Sequence, residues 1–187
     1  MPMDAFENLR MTVFTALMAA LIAAGAFIVI PIGPVPIVLQ NLFVMIAGLI
    51  LAPRWAAAAV AIYLLAGGLG LPVFAGGTGG IGRLLGPTGG YLIGYLPAVV
   101  LIGWTHTRFG EKAWMEIGAL ILAEAVVFGL GVSWLKTVTA MSWTAALAAG
   151  MLPFLPGDAL KIAAALPIAR TLRPIVRGRG NFEIRRI

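Results

Sequence analysis

Three long stretches of this chain carry no charged residue, and they restrict its fold more than any motif does. They cover residues 11–53, 55–82 and 84–105. One helical crossing of a bilayer needs about 20 consecutive apolar residues, so the first stretch alone holds two crossings. Of the 187 residues, 61% are hydrophobic and 11% charged, whereas a soluble domain is charged at about a quarter of its positions. A closed β-barrel would alternate apolar and polar residues along each strand, and Ala16-Leu-Met-Ala-Ala-Leu-Ile-Ala-Ala24 does not. The expected fold is therefore all-α, a polytopic membrane protein. The first apolar run is too long for a cleaved signal peptide, has no small-residue cleavage site behind it, and leads into further spans. The chain has no cysteine, which excludes disulfides, thiolate metal sites and cysteine nucleophiles.

Proline, glycine and charge punctuation divides the chain into six predicted spans within one membrane domain, residues 1–187. They lie at about 12–30, 38–52, 55–69, 91–104, 116–135 and 157–172. Pro31-Ile-Gly-Pro-Val-Pro36 stops the first, Pro53-Arg54 ends the second, and a Gly-rich connection over 67–90 follows the third. Residues 143–152 read as a shorter helix leading into the sixth span. With the amino terminus inside, one side receives Arg10, Arg54, Arg108, Lys112, Arg170, Arg173, Arg177, Arg179, Arg185 and Arg186; the other receives Arg83 and Lys136. This bias predicts cytoplasmic termini. Trp55, Trp104 and Trp114 then mark the inner boundary, Trp134 and Trp143 the outer one. The basic tail suits topology and anionic lipid headgroups, and nucleic acid is not an expected partner.

Pro153-Phe-Leu-Pro-Gly-Asp158 with Lys161 places a carboxylate and an ammonium at the outer mouth of the sixth span. Residues i and i+3 of a helix share a face, and charges at membrane depth usually face a cavity, a partner or a polar ligand. Mutual neutralisation at a helix end is the competing reading. Glu124, midway along the fifth span, adds to the case for a site: an isolated carboxylate there would cost several kcal/mol, so it is either neutral or faces a polar group such as Lys161. Gln40, with Asn41 beside it, opens the second span, where a helix-end hydrogen bond is as good an explanation as ligand contact.

Gly77-Thr-Gly-Gly-Ile-Gly82 matches GxGxxG formally, but that fingerprint needs a soluble βαβ unit, which this composition excludes. A flexible or closely packed outer loop, placed to cover a cavity, is the better reading. Arg83 within it could meet an anionic ligand. Ala16, Ala20 and Ala24 recur four apart, a spacing that lets helices approach closely in lipid, either internally or against another subunit. Enzyme chemistry finds no support: the single histidine, His106, falls in a cytoplasmic loop, and neither HExxH nor GxxxxGK occurs. Any ATP-driven step must use another polypeptide.

Pro34-Val-Pro36 with Leu39-Gln40, Gly70-Leu-Pro-Val-Phe-Ala-Gly76, Leu85-Gly-Pro-Thr-Gly-Gly-Tyr91 and Pro153-Phe-Leu-Pro-Gly-Asp158 with Lys161 follow one another in this order. Over nearly its whole length the chain resembles the BioY family, the biotin-binding S components of energy-coupling factor transporters. The resemblance implies a six-helix fold in a prokaryotic plasma membrane and non-catalytic capture of biotin from outside. It also implies partnership with a transmembrane coupling subunit and paired ABC-type ATPases, with toppling in the membrane to release the vitamin. Asp158 and Lys161 match the family's ligand-contacting pair, and Ala16 and Ala20 its coupling surface. Glu124 is a departure, standing where an uncharged polar residue is expected. Biotin itself is the only small molecule implied; no cofactor or metal is expected. Its ureido ring offers two N–H donors and a carbonyl, suited to an accepting Asp and a donating Lys, and its apolar parts need side chains such as Phe74, Tyr91, Phe128 or Trp134. The competing class is a stand-alone ion-coupled carrier using Glu124 and Asp158 as proton sites.

Overall fold

Proline placement decides where the first helix stops. In the computed structural model, which describes residues 5–31 and 33–178, α1 (Ala5–Phe27) ends three residues before the predicted boundary. Pro31, Pro34 and Pro36 lack N–H donors and bias their predecessors toward extended backbone. Accordingly β1 (Val29–Ile30) and β2 (Ile37–Val38) form a short antiparallel hairpin, Val29 opposite Val38 and Ile30 opposite Ile37.

The chain then forms α2 (Gln40–Ile50), α3 (Pro53–Gly68), a short α4 (Ile81–Leu85) inside the Gly-rich connection, α5 (Gly89–Phe109), α6 (Ala113–Thr139), α7 (Trp143–Gly150) and α8 (Leu155–Val176). Pro53 opens α3 at a position where its missing N–H costs nothing. Ser142 caps α7 by accepting from Ala145 N–H at 3.2 Å. α7 and α8 meet at a 45° bend.

Each predicted span coincides with a helix, but they are unequal. α1 and α6 are individually long and apolar enough to cross a membrane, and α7 with α8 passes that test as a bent pair. At 11 residues α2 is only about 16 Å long, short of a hydrocarbon core of about 30 Å. It is instead the centre of the bundle: every residue except Phe43 is buried, the mark of a helix enclosed on all sides. α1, α3, α5 and α8 surround it, and α6 packs along α5. On the outside, Val13 and Leu17 of α1 and Ile121, Leu122 and Leu130 of α6 are exposed, an outward apolar surface suited to lipid.

The end of the bundle opposite the hairpin carries a buried charge cluster that the loop reading of His106 did not anticipate. His106 lies in the last turn of α5 and is buried. Arg173, also read as a lipid-facing charge, is 2% exposed. Its Nη2 bonds Glu116 Oε1, and its Nε donates to the Leu49 carbonyl at 3.1 Å, an oxygen left without an intrahelical partner at the end of α2. Arg177 bridges Glu111 and His106 Nε2 (2.9 Å). Because a guanidinium only donates, His106 Nε2 must accept there. The ring proton then sits on Nδ1, 3.1 Å from Glu116 Oε1. Burial would push the Glu111 carboxyl up, but the Arg177 and Arg173 guanidiniums outweigh it and hold it below the usual carboxylate range. Arg179, Arg185 and Arg186 of the basic tail lie outside the described residues, as does Ile32 of the proline hinge.

Candidate ligand-binding site

Three helices deliver charged or amide side chains to one buried point. Asp158 stands in the first turn of α8 and Lys161 one turn further on, so both face α2. Asn41, second residue of α2, reaches both. Its Nδ2 donates to Asp158 Oδ1 at 2.9 Å and, more weakly, to Glu124 Oε1 at 3.4 Å. Its Oδ1 accepts from Lys161 Nζ at 2.6 Å. Lys161 also donates to Asp158 Oδ1 at 3.0 Å and to the Val38 carbonyl at 2.8 Å. An ammonium has three N–H donors, and all three are engaged. Glu124 is thus joined to the knot through Asn41, and the ion pair of Lys161 is with Asp158.

The knot forms the floor of a cavity of about 150 Å³. Gln40, Phe74, Arg83, Tyr91, Glu124, Asp158 and Lys161, all singled out from sequence, line this one cavity. So do Asn41, Thr78, Tyr95, Val127, Phe128 and Phe154. Gln40 is 1% exposed and its Nε2 lacks a hydrogen-bond partner. Asp158 Oδ2 and the second oxygen of Glu124 accept no hydrogen bond from the described residues. The floor therefore offers free carboxylate acceptors, while the walls are largely aromatic and aliphatic.

The roof is the hairpin and the Gly-rich connection, and the latter is closely packed. Phe74 is buried with its ring edge-on to Tyr63, centroids 5.4 Å apart. Gly67 beneath it has no room for a side chain, since a Cβ there would overlap the Phe74 ring. Gly76 N–H reaches the Ala26 carbonyl at 3.2 Å and Gly80 N–H the Gly67 carbonyl at 2.7 Å, tying the connection to α1 and α3. Arg83 stands at the rim, exposed and without an ion pair among the described residues.

Two aromatic assignments change in detail. Tyr91 lines the cavity with its ring, but its hydroxyl donates to the Gly150 carbonyl at 2.8 Å. Trp134 is not part of the lining: its Nε1 donates to the Gly86 carbonyl at 2.9 Å, bracing the turn into α5. Asn41 is the site residue whose weight the sequence understated. The available signal was two adjacent amides at the head of an otherwise apolar helix.

Comparison with known proteins agrees with this architecture. The BioY family model matches residues 2–178. A probable biotin transporter BioY from Pyrococcus horikoshii is 39% identical over 158 residues, covering 84% of this chain and 93% of that relative. The biotin transporter BioY of Thermotoga maritima is 35% identical over 167 residues, covering 89% and 98%. A crystal structure of the S-component for biotin from an ECF-type ABC transporter matches with a TM-score of 0.87 at 33% identity, covering 92% of this chain and 95% of that one. Fold and site together define a multi-pass helical membrane protein of the S-component class. Within that class, the chain belongs to the BioY family.

Proposed function

We propose that this chain is the substrate-binding membrane subunit for biotin uptake, capturing the vitamin outside and delivering it inward with an ATP-driven module. The observation that carries this reading is the enclosed Asn41–Asp158–Lys161–Glu124 knot, whose open valences complement a ureido ring. Free oxygens of Asp158 and Glu124 accept the two ureido N–H groups. Lys161 positions and neutralises rather than contacting first, because its three donors are already engaged. The vitamin's carboxylate is repelled by the acidic floor and turns toward Arg83 at the rim. Replacing Arg83 by Ala is expected to weaken biotin binding about fivefold, near 1 kcal/mol for an exposed, screened pair. Titration calorimetry checks this, and biotin amide should bind wild type and variant alike.

In this reading the six helical segments span a prokaryotic plasma membrane with both termini cytoplasmic and the cavity facing outward. Ala16, Ala20 and Ala24 are exposed on one face of α1, which supports docking to a transmembrane coupling subunit, itself joined to paired ABC-type ATPases. The chain binds and does not catalyse. Uptake of labelled biotin by cells with and without those partner subunits is the test. Uptake that needs the ATPases and resists an uncoupler is the expected result; uptake that survives their loss but fails with the uncoupler would establish the stand-alone carrier instead. Identification of biotin copurifying with the protein would support the ligand independently.

A further inference from the structure

Opposite the vitamin cavity, the start of α1 and the ends of α5 and α8 enclose a second cleft, of about 410 Å³. Glu7, Arg10, His106, Thr107 and Arg177 supply its polar lining. Every guanidinium in the adjoining cluster has a carboxylate except one: Arg173 pairs with Glu116 and Glu111, and Arg177 with Glu111. Arg10 has neither an ion pair nor a hydrogen bond among the described residues, and its Nε is buried without a partner. Glu7, a turn earlier on α1, is exposed and forms no ion pair with it. Among the described residues Arg10, Arg173 and Arg177 stand near Glu7, Glu111 and Glu116, three charges of each sign, yet Arg10 is the one guanidinium of the three that no carboxylate pairs with. Thr107 is already committed to the Trp104 carbonyl. Phe6 and Leu9 of α1 and Ile175 of α8, on two of the helices that form the cleft, are exposed apolar side chains.

We infer that this cleft binds a phosphate ester anion, with Arg10 as its principal ligand and the headgroup of an anionic membrane lipid as its source. A guanidinium left with unpaired N–H donors matches phosphate oxygens in a bidentate fork. A phosphodiester supplies the anionic partner that Arg10 lacks. The end of a helical bundle is where a headgroup lies, and the exposed Phe6, Leu9 and Ile175 meet its glycerol and upper acyl region. Anionic leaflets attract every basic residue near their surface, but that general attraction does not select Arg10 over exposed arginines.

The test uses the full chain purified in detergent, with thermal unfolding followed as dioleoylphosphatidylglycerol, dioleoylphosphatidylcholine or inorganic phosphate is added. Phosphatidylglycerol should raise the unfolding temperature saturably, phosphatidylcholine much less, and Arg10→Gln should weaken the apparent lipid affinity at least fivefold. Arg10→Lys should keep part of the effect, and biotin binding should be unchanged in both variants, separating loss of the site from misfolding. Inorganic phosphate acting alone with the same Arg10 dependence would support the anion site and assign its source to soluble phosphate. A phosphatidylglycerol response equal in wild type and Arg10→Gln, or no response in wild type, would overturn the inference.

Discussion

Lys161→Ala should abolish tight biotin binding, and Asp158→Asn should come close to doing so. Lys161 is the cation joining α8 to Asn41 and to the Val38 carbonyl, and it stands against two buried carboxylates, Asp158 and Glu124. Removing it leaves those carboxylates facing each other across Asn41 with no compensating charge. Truncating one member of a buried charge pair costs about 3–5 kcal/mol, which corresponds to a loss of roughly 10²–10⁴ in affinity. Asp158→Asn preserves shape but leaves the ammonium bonded to neutral oxygens, with Glu124 the one carboxylate of the pair remaining nearby, so it is the cleaner probe. Asn41→Ala, which deletes three hydrogen bonds at once, should fall between the two. Calorimetry on detergent-solubilised protein, with size-exclusion profiles to establish folding, decides the matter; wild-type affinity in both charge variants would defeat the site assignment.

The second large effect concerns stability and not binding. Arg173→Ala removes the only guanidinium among the described residues bonded to Glu116, whose side chain is 1% exposed, and the side-chain donor to the Leu49 carbonyl. The same buried-charge arithmetic gives about 3–5 kcal/mol of destabilisation, or roughly 10 °C in unfolding temperature for a chain of this size. Biotin affinity measured well below that temperature should remain at the wild-type value, because the cluster lies at the opposite end from the cavity. Adding Glu116→Gln should recover part of the loss, since the two side chains act as one unit. An unfolding temperature within a degree of wild type would show that the cluster contributes nothing net.

The helical segments were legible because uncharged runs and proline positions act locally, and both are visible along the chain. What was not legible arose from contacts between residues far apart. Asn41 sits where a polar residue ordinarily serves its own helix end, and nothing near it in sequence announces that α8 brings Asp158 and Lys161 within reach, 117 and 120 positions away. Along the sequence Arg173 and Arg177 are two more positive charges on one side of the membrane, and a charge tally cannot say that one of them is buried against Glu116. Trp134 and Tyr91 were both reasonable cavity walls by residue type; only the turn at Gly86 and the carbonyl of Gly150 decide that the first braces a loop and the second spends its hydroxyl on backbone. The Gly-rich connection likewise suits either a loose or a tight segment by composition, and Phe74 seated over Gly67 makes it tight.

Helix α2 is fastened at both of its termini to the same two neighbours. Asn41 joins it to α6 and α8 beneath the vitamin, and the Leu49 carbonyl joins it, through Arg173 and Glu116, to α8 and α6 at the far end. Three rods bolted together top and bottom cannot be levered apart like tongs. Separating α2 from α6 and α8 would mean breaking buried, charge-assisted contacts at both ends of the rod, each of them costly to leave unmade.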